Sequence, residues 1–401
     1  MEQTKKVLWI SLNAPYDKVD HAGGQVHNYY LKKLNESGKA DIKLISFCHP
    51  TELPKLDLDQ YGIDATIFPQ ENRGIKHLLW GIVHLETRYN PWNRYAGITY
   101  NFFEIKIRKA IGQLLSEGYS PDIIILQWTQ MVLLIHYLKK YFPKARFICI
   151  EEDVTFLGFE RSLKVKPTWI KKIRASKMKR IEVAALNVAD QIICSNKKDI
   201  MLLDKENINT PRWSWCPYYN NMADVVRKQP NNDILFFGAM NRRANWESAI
   251  WFIENVFNKI ENQALRFVIL GSKPPQELLK YKNSRILIPG YVDDVKPFFE
   301  NSLCLVVPLQ LGAGIKIKVL EGMSSGIPVL ANNIGIEGIP AENMEEYIHC
   351  ESPDDFQKAI SFLSDNPDKA KEIGEKGRTF VCGGFNYVND TDRFVNLISE
   401  L

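Results

Sequence analysis

Between Gly312 and Val329 the chain reads GAGIKIKVLEGMSSGIPV, a glycine loop followed by a helical pattern that carries Lys316, Lys318 and Glu321 among apolar residues. The apolar run LCLVVPL precedes it, so strand, glycine loop and helix come in succession. Unpaired backbone N–H groups and the positive end of the helix dipole then converge on the loop, a natural seat for an anion. A helix running from Ile315 puts Gly314, Lys318, Glu321 and Ser325 on one face and Lys316 nearly opposite. Lys318 is the candidate for a phosphate, and Glu321, one turn deeper, for accepting hydrogen bonds from sugar hydroxyls. The alternative is a surface ion pair between residues three apart, which is common and worth little. The following SSGIPVLANN weighs against it, because a turn and a buried strand enclose the helix, a poor place for idle charges.

A second cluster lies in RFICIEEDVTF, where a strand runs into Glu151, Glu152 and Asp153. Carboxylates at a strand's carboxyl end can orient or deprotonate a substrate hydroxyl; equally, they can cap the next helix and stand in solvent. His27, in HAGGQVHNYYLKKL, is a further polar candidate, although a lone histidine on a helix is more often structural. Trp80, Tyr89, Trp92 and Tyr95 could stack on sugar rings, with ordinary packing as the default. VDD at 292–294 reads as a loop and helix cap, not as a metal site. The helical stretch WIKKIRASKMKRIE, with Lys164 and Lys166 ahead of it, has no acidic residue from Arg161 to Arg180. It can lie on anionic lipid headgroups or form a solvated face.

These residues must be held by an alternation of short β-branched runs and longer helical patterns, the signature of parallel sheets covered by helices. Strands are predicted at VLWISL, DIKLISF, DIIILQ, RFICIE and QIICS in the first half, and at DILFFG, RFVILG, RILIPG, LCLVVPL and IPVLAN in the second. Helices are predicted at GQVHNYYLKKLNES, FFEIKIRKAIGQLL, QMVLLIHYLKKY and WIKKIRASKMKRIEVAALNVA, and in the second half at WESAIWFIENVFNKI and the glycine-loop helix. From Thr210 to Asn232 no period is sustained, which reads as a linker. The chain is thus α/β, with two Rossmann-like halves in tandem, 1–215 and 216–385, and an amphipathic helix at 386–401 that can pack back on the first. Ligands of such sheets bind outside the carboxyl ends of the strands, and the two sets of ends are expected to face each other across a cleft.

The totals fit this organisation. A chain of 401 residues has room for two to three domains, and a net charge of +4 does not indicate a nucleic-acid binder. Its seven cysteines form no CxxC pair or zinc-like spacing, and several lie in apolar runs, so a reduced, cytoplasmic protein without a structural metal is expected. No signal pattern or bilayer-length apolar run is present, which leaves peripheral contact at the inner face as the expected form of any membrane association.

GAGIKIKVLEGMSSGIPVLANNIGIEGI resembles the donor-site signature of retaining, family-4 glycosyltransferases of the GT-B fold. FFGAMNRRANWESAIWF, LRFVILGSKPP and ILIPGYVDDVKPFF are similar to other parts of that family's C-terminal domain. HAGGQVHNYYLKKL and VADQIICSNKKD are similar to parts of its N-terminal domain. The resemblance implies a nucleotide-diphosphate sugar, with UDP or GDP as its nucleotide, and transfer with retention to a sugar, lipid-linked or protein-linked acceptor, without metal or cofactor. It implies that Gly312, Ala313, Gly314, Ile315, Lys316 and Lys318 surround the diphosphate and that Glu321 holds the ribose. Tyr291 and Val292 would lie near the base, Gly238 would permit close backbone approach, and Gly23 and Gly24 would offer N–H groups. The chain departs from the family pattern at Ala313, where a glutamate is usual, and at Ala239 and Ala244, in place of Arg and Lys. Lys318, Lys316 or Arg242 would then supply the missing positive charge. Rival expectations are a non-catalytic partner subunit, a sugar-nucleotide epimerase and a phosphorylase.

Overall fold

The computed structural model describes residues 4–17, 19, 21–70, 93–99, 101–165, 167–312 and 314–401. Ala313, Lys166, Trp80, Tyr89 and Trp92 lie outside the described residues, as does the side chain of Lys164. The chain divides into two units, one formed by Met1–Cys216 with Tyr387–Leu401 and the other by Pro217–Asn386.

The first unit is built on a parallel sheet of β1 (Lys5–Ser11), β2 (Ala40–Cys48), β3 (Asp64–Pro69), β4 (Ile123–Gln127), β5 (Arg146–Glu151), β6 (Gln191–Cys194) and β7 (Arg212–Ser214). Their order across the sheet is β3-β2-β1-β4-β5-β6-β7. The central strands read as unbroken apolar runs because helices cover both faces, and Val7 to Ile10 and Ile123 to Leu126 are fully buried. The helices are α1 (Ala22–Glu36), α2 (Asn101–Ser116), α3 (Thr129–Val132), α4 (Ile135–Tyr141), α5 (Thr155–Val165), α6 (Trp169–Leu186) and α7 (Lys197–Asp204).

The second unit has β8 (Asp233–Phe237), β9 (Arg266–Leu270), β10 (Ile286–Gly290), β11 (Cys304–Val307), β12 (Val329–Ala331) and β13 (Ile348–His349), in the order β10-β9-β8-β11-β12-β13 and again all parallel. Its helices are α8 (Arg243–Asn255), α9 (Gln276–Leu279), α10 (Lys296–Asn301), α11 (Ile317–Ser324), α12 (Pro353–Asp365) and α13 (Pro367–Gly384). The last helix, α14 (Tyr387–Glu400), belongs to the first unit. There Phe394 meets Trp9, Trp215 and Tyr30 edge-on, with ring centroids 5.9, 5.6 and 6.1 Å away, and Tyr30 stacks on Trp215 at 3.9 Å. Asp390 fixes the helix further by accepting the Cys216 N–H at 2.6 Å.

Each sheet reverses its strand order once, between β1 and β4 and between β8 and β11, which are the topological switch points where α/β sheets take ligands.

Three local expectations are corrected. The helix expected from Ile315 begins at Ile317, because Gly312 (φ +136°) and Gly314 (φ +72°) hold an open loop and the Lys316 amine folds back onto the Gly314 carbonyl. The single helix expected over QMVLLIHYLKKY is two short ones, α3 and α4. The presumed linker begins with β7, a three-residue edge strand too short to show a period and paired to β6. Among the described residues no helix is long and apolar enough to cross a membrane.

Candidate active site

In the second unit, β8 ends at Phe237 and the backbone turns through Gly238, whose φ of +146° favours glycine. A Cβ there would lie 2.7 Å from the Lys318 amine and 3.0 Å from Asn245 Nδ2, so the missing side chain is what lets the lysine sit over the strand end. Lys318 comes from the first turn of α11, on the other side of the switch point. Its amine donates to Asn245 Oδ1 at 2.7 Å and lies 4.8 Å from the Phe236 ring centroid. Asn245 is fixed in turn by donating to the Ala239 carbonyl at 2.8 Å. No side chain caps the first turn of α11, which starts beside Lys318 and in which the Val319 N–H donates to the Lys316 carbonyl at 2.8 Å.

Glu321 stands one turn further along α11 and accepts the Asn220 N–H at 3.4 Å. It forms no ion pair with Lys318, which is bonded to Asn245 instead, so the simple surface pair is not what these residues make. Burial, then the nearby Arg242 guanidinium, lowers the Lys318 pKa to about 7, with Glu321 opposing and Lys316 adding to the fall. Burial raises Glu321 to about 7 against the Asn220 N–H and Lys318. Three cations with an incompletely solvated lysine among them form a socket that an anion would relieve. Lys316 is 3.7 Å from Glu337 and bonded to Gly314, and Arg242 is exposed at the start of α8. Tyr291 is exposed and Val292 half-buried after β10, on the same carboxyl edge two strands from β8. Gly312 is exposed, and Gly314 and Ile315 are half-buried.

The first unit gathers polar groups at its own switch point. Glu152 follows β5 and is held by Gln127 Nε2 at 2.7 Å and Ser195 Oγ at 2.8 Å, and Gln127 is anchored by the Trp9 indole N–H at 3.0 Å. Burial raises the Glu152 carboxyl to about 7, with the Gln127 and Ser195 bonds opposing. Gly23 adjoins it: a Cβ there would be 3.6 Å from Trp128 and 3.7 Å from the Glu152 carboxyl carbon. Trp128, at the end of β4, has φ +69°, a strained conformation of the kind that gathers at functional sites. Asp153 is exposed beside this group.

Four sequence candidates in this unit are placed otherwise. Gly24 lies within α1, and its N–H is taken by His21 Nδ1 at 2.9 Å, so it is not offered to a ligand. His27 is fully buried between Trp9 and Trp128, 3.2 Å from the Asn13 carbonyl, and desolvation lowers its pKa to about 3. It is a neutral ring packed between the two indoles. Glu151 is also fully buried, bonded to Thr129 Oγ1 at 2.5 Å beside Glu182, because the last residue of a central strand turns inward. Tyr95 is likewise buried, which removes it as a stacking surface.

Residues 231–366, inside the second unit and spanning the Gly238–Lys318–Glu321 group, match the family Glycosyl transferases group 1. The match covers about a third of the chain. It is 28% identical over 187 residues to the Escherichia coli UDP-Gal:alpha-D-GlcNAc-diphosphoundecaprenol alpha-1,3-galactosyltransferase, covering 44% of each chain. The chain spans less than half the length of the curated relatives it matches. Two solved structures share the fold over 99% of this chain. One is the sucrose-phosphate synthase of Thermosynechococcus elongatus, at 14% identity, TM-score 0.69 and 98% of that chain. The other is Alr3699/HepE of Anabaena in complex with UDP, at 11% identity, TM-score 0.67 and 100% of that chain. The fold is GT-B, with two Rossmann-like domains.

Sequence reasoning missed Asn245, Asn220, Gln127, Ser195 and Trp128 at these two groups. Asn245 left a faint signal, an amide in the first turn of a helix directly after a glycine loop. The others act through tertiary placement and leave none.

Proposed function

We propose that the protein transfers a sugar from a nucleotide-diphosphate sugar to a hydroxyl acceptor, with retention at the anomeric carbon, in the assembly of a surface polysaccharide or glycoconjugate. The observation that carries this reading is the Lys318 amine lodged over Gly238 at the β8/β11 switch point, in the first turn of α11, which no side chain caps. In glycosyl transfer the nucleoside diphosphate departs as negative charge grows on its oxygens, and preorganised positive groups lower the barrier most when aimed at that charge. Lys318, Lys316, Arg242 and the α11 terminus supply such groups, so the leaving group is stabilised without a divalent metal. Glu321 accepts hydrogen bonds from the ribose hydroxyls, and Tyr291 and Val292 lie near the base. Gly312, Gly314 and Ile315 bring backbone close to the diphosphate.

On the acceptor side, Glu152, held by Gln127 and Ser195, orients the attacking hydroxyl and takes up its proton, with Asp153 and the Gly23 backbone beside it. A carboxyl near pKa 7 suits that exchange at neutral pH. UDP is the favoured nucleotide. The E. coli relative's name specifies UDP-Gal and a diphosphoundecaprenol-linked acceptor, and the Anabaena structure was solved with UDP. These support a hexosyl donor and a lipid-linked acceptor here.

Isothermal titration with UDP- and GDP-sugars tests the donor site, and Lys318→Ala and Glu321→Gln should each lower transfer at least a hundredfold while the fold survives. Near-normal transfer by both variants removes the assignment. Product formed without an acceptor points to an epimerase instead.

A further inference from the structure

The basic helix α6 is not used by the reaction described above, and its surface has a distinct pattern. Trp169, Lys172, Ile173, Ser176 and Arg180 follow one another at helical spacing along its outer side, all of them exposed. Trp169 is 64% exposed and Ile173 is 40% exposed, one turn apart. The opposite side, with Ala175, Met178, Ala185 and Leu186, is buried in the unit.

Other cations of the helix are engaged within the protein. Arg174 donates to the Ala96 carbonyl at 2.9 Å, Lys171 to the Ser162 carbonyl at 3.2 Å, and Lys179 pairs with Glu206 at 2.6 Å and Glu160 at 3.6 Å. Lys172 and Arg180 project from the outer side instead. The helix's sole acid, Glu182, is buried and accepts the Thr155 and Phe156 N–H groups at 2.8 Å, so no negative charge interrupts the stripe.

We propose that this side of α6 docks on an anionic bilayer surface, Trp169 and Ile173 entering the headgroup boundary while Lys172 and Arg180 pair with lipid phosphates. Charge complementarity alone would also suit a polynucleotide. The exposed indole and isoleucine within one turn favour lipid, because an amphipathic surface helix gains from burying apolar side chains at the interface and tryptophan concentrates there. The inference stands apart from the transfer reaction, since none of these residues lies at either switch point.

The test is co-sedimentation of the full chain with vesicles of equal parts phosphatidylglycerol and phosphatidylcholine, against phosphatidylcholine alone. Binding is expected on the anionic vesicles only, weakened by 0.5 M salt. Lys172→Ala with Arg180→Ala should reduce partitioning about thirtyfold, from roughly fivefold for each cation near the surface. Trp169→Ala with Ile173→Ala should also reduce it, while thermal unfolding of both variants stays close to wild type because the side chains are exposed. Equal binding to both vesicle types, or wild-type partitioning by both double variants, overturns the proposal. So does retention of a polynucleotide at the same salt with no vesicle binding.

Discussion

Lys318 should make nucleotide-sugar affinity depend on pH in a direction that can be worked out. Its pKa of about 7 in the empty site is low because burial and the Arg242 charge disfavour the ammonium form. A diphosphate diester beside it favours that form, so binding draws a proton onto the lysine and weakens as pH rises through 7. If the ligand restores an ordinary lysine value of about 10.5, the requirement for protonation lowers affinity about 25-fold between pH 6.5 and 8.5, near 2 kcal/mol. In its proposed role Glu321 opposes this, because the ionised form would accept ribose hydroxyls and its pKa of about 7 makes ionisation nearly complete over the same interval, a gain of about fourfold. The wild type should therefore lose about sixfold. Glu321→Gln should expose the full lysine effect of about 25-fold, and Lys318→Arg, cationic throughout, should reverse the trend to a rise of about fourfold. Calorimetric titration of a UDP-sugar without acceptor, in buffers of different ionisation enthalpy, measures affinity and proton uptake together. The sugar nucleotide is the right probe because its diphosphate does not titrate in this range. If Lys318→Arg follows the wild-type pH course, the lysine is not the anion's partner and the reasoning fails.

Other predictions concern backbone space, buried acids and the last helix. Gly238→Ala puts a methyl 2.7 Å from the Lys318 amine at a φ of +146°. It should weaken nucleotide binding tenfold or more and cost about 1–3 kcal/mol in denaturant unfolding; unaltered affinity would mean that Lys318 can move aside freely. Glu182 is raised from 4.5 to about 8 by burial, against hydrogen bonds from the Thr155 and Phe156 N–H groups. A raised carboxyl stabilises fully below its unfolded pKa and loses that contribution as pH climbs through the folded one. Stability should therefore decline from about pH 5 to 8, and Glu182→Gln should flatten that decline in thermal scans. Phe394→Ala, removing a fully buried ring from among Trp9, Tyr30 and Trp215, should cost about 3–5 kcal/mol in chemical unfolding.

What the sequence makes legible here depends on how local the physical cause is. Central strands such as VLWI and IIIL are readable because burial on both faces demands apolar side chains at every position, while β3 and β7, at sheet edges, face weaker demands and escape notice. The glycine loop before α11 is readable as an anion seat because N–H groups and a helix terminus follow from the local chain. Its end is not, since the two residues by which the helix starts late are set by the Lys316 amine reaching back to Gly314. The acids after β5 illustrate the same limit. Glu151 and Glu152 are adjacent and chemically alike, yet one carboxyl is sealed against Thr129 beside Glu182 and the other is held by Gln127 and Ser195 near Gly23. Alternation along a strand says that neighbours point to opposite faces. Which face holds solvent is decided by α5 and α6 packing from elsewhere in the chain, and no property of the tripeptide encodes it. Asn245 is the sharper case: it holds a lysine 73 positions away, and its role exists only because the β8/β11 crossover brings the two strand ends together. Residue type announces the chemistry available at a switch point, whereas the partner that tunes it is a product of topology.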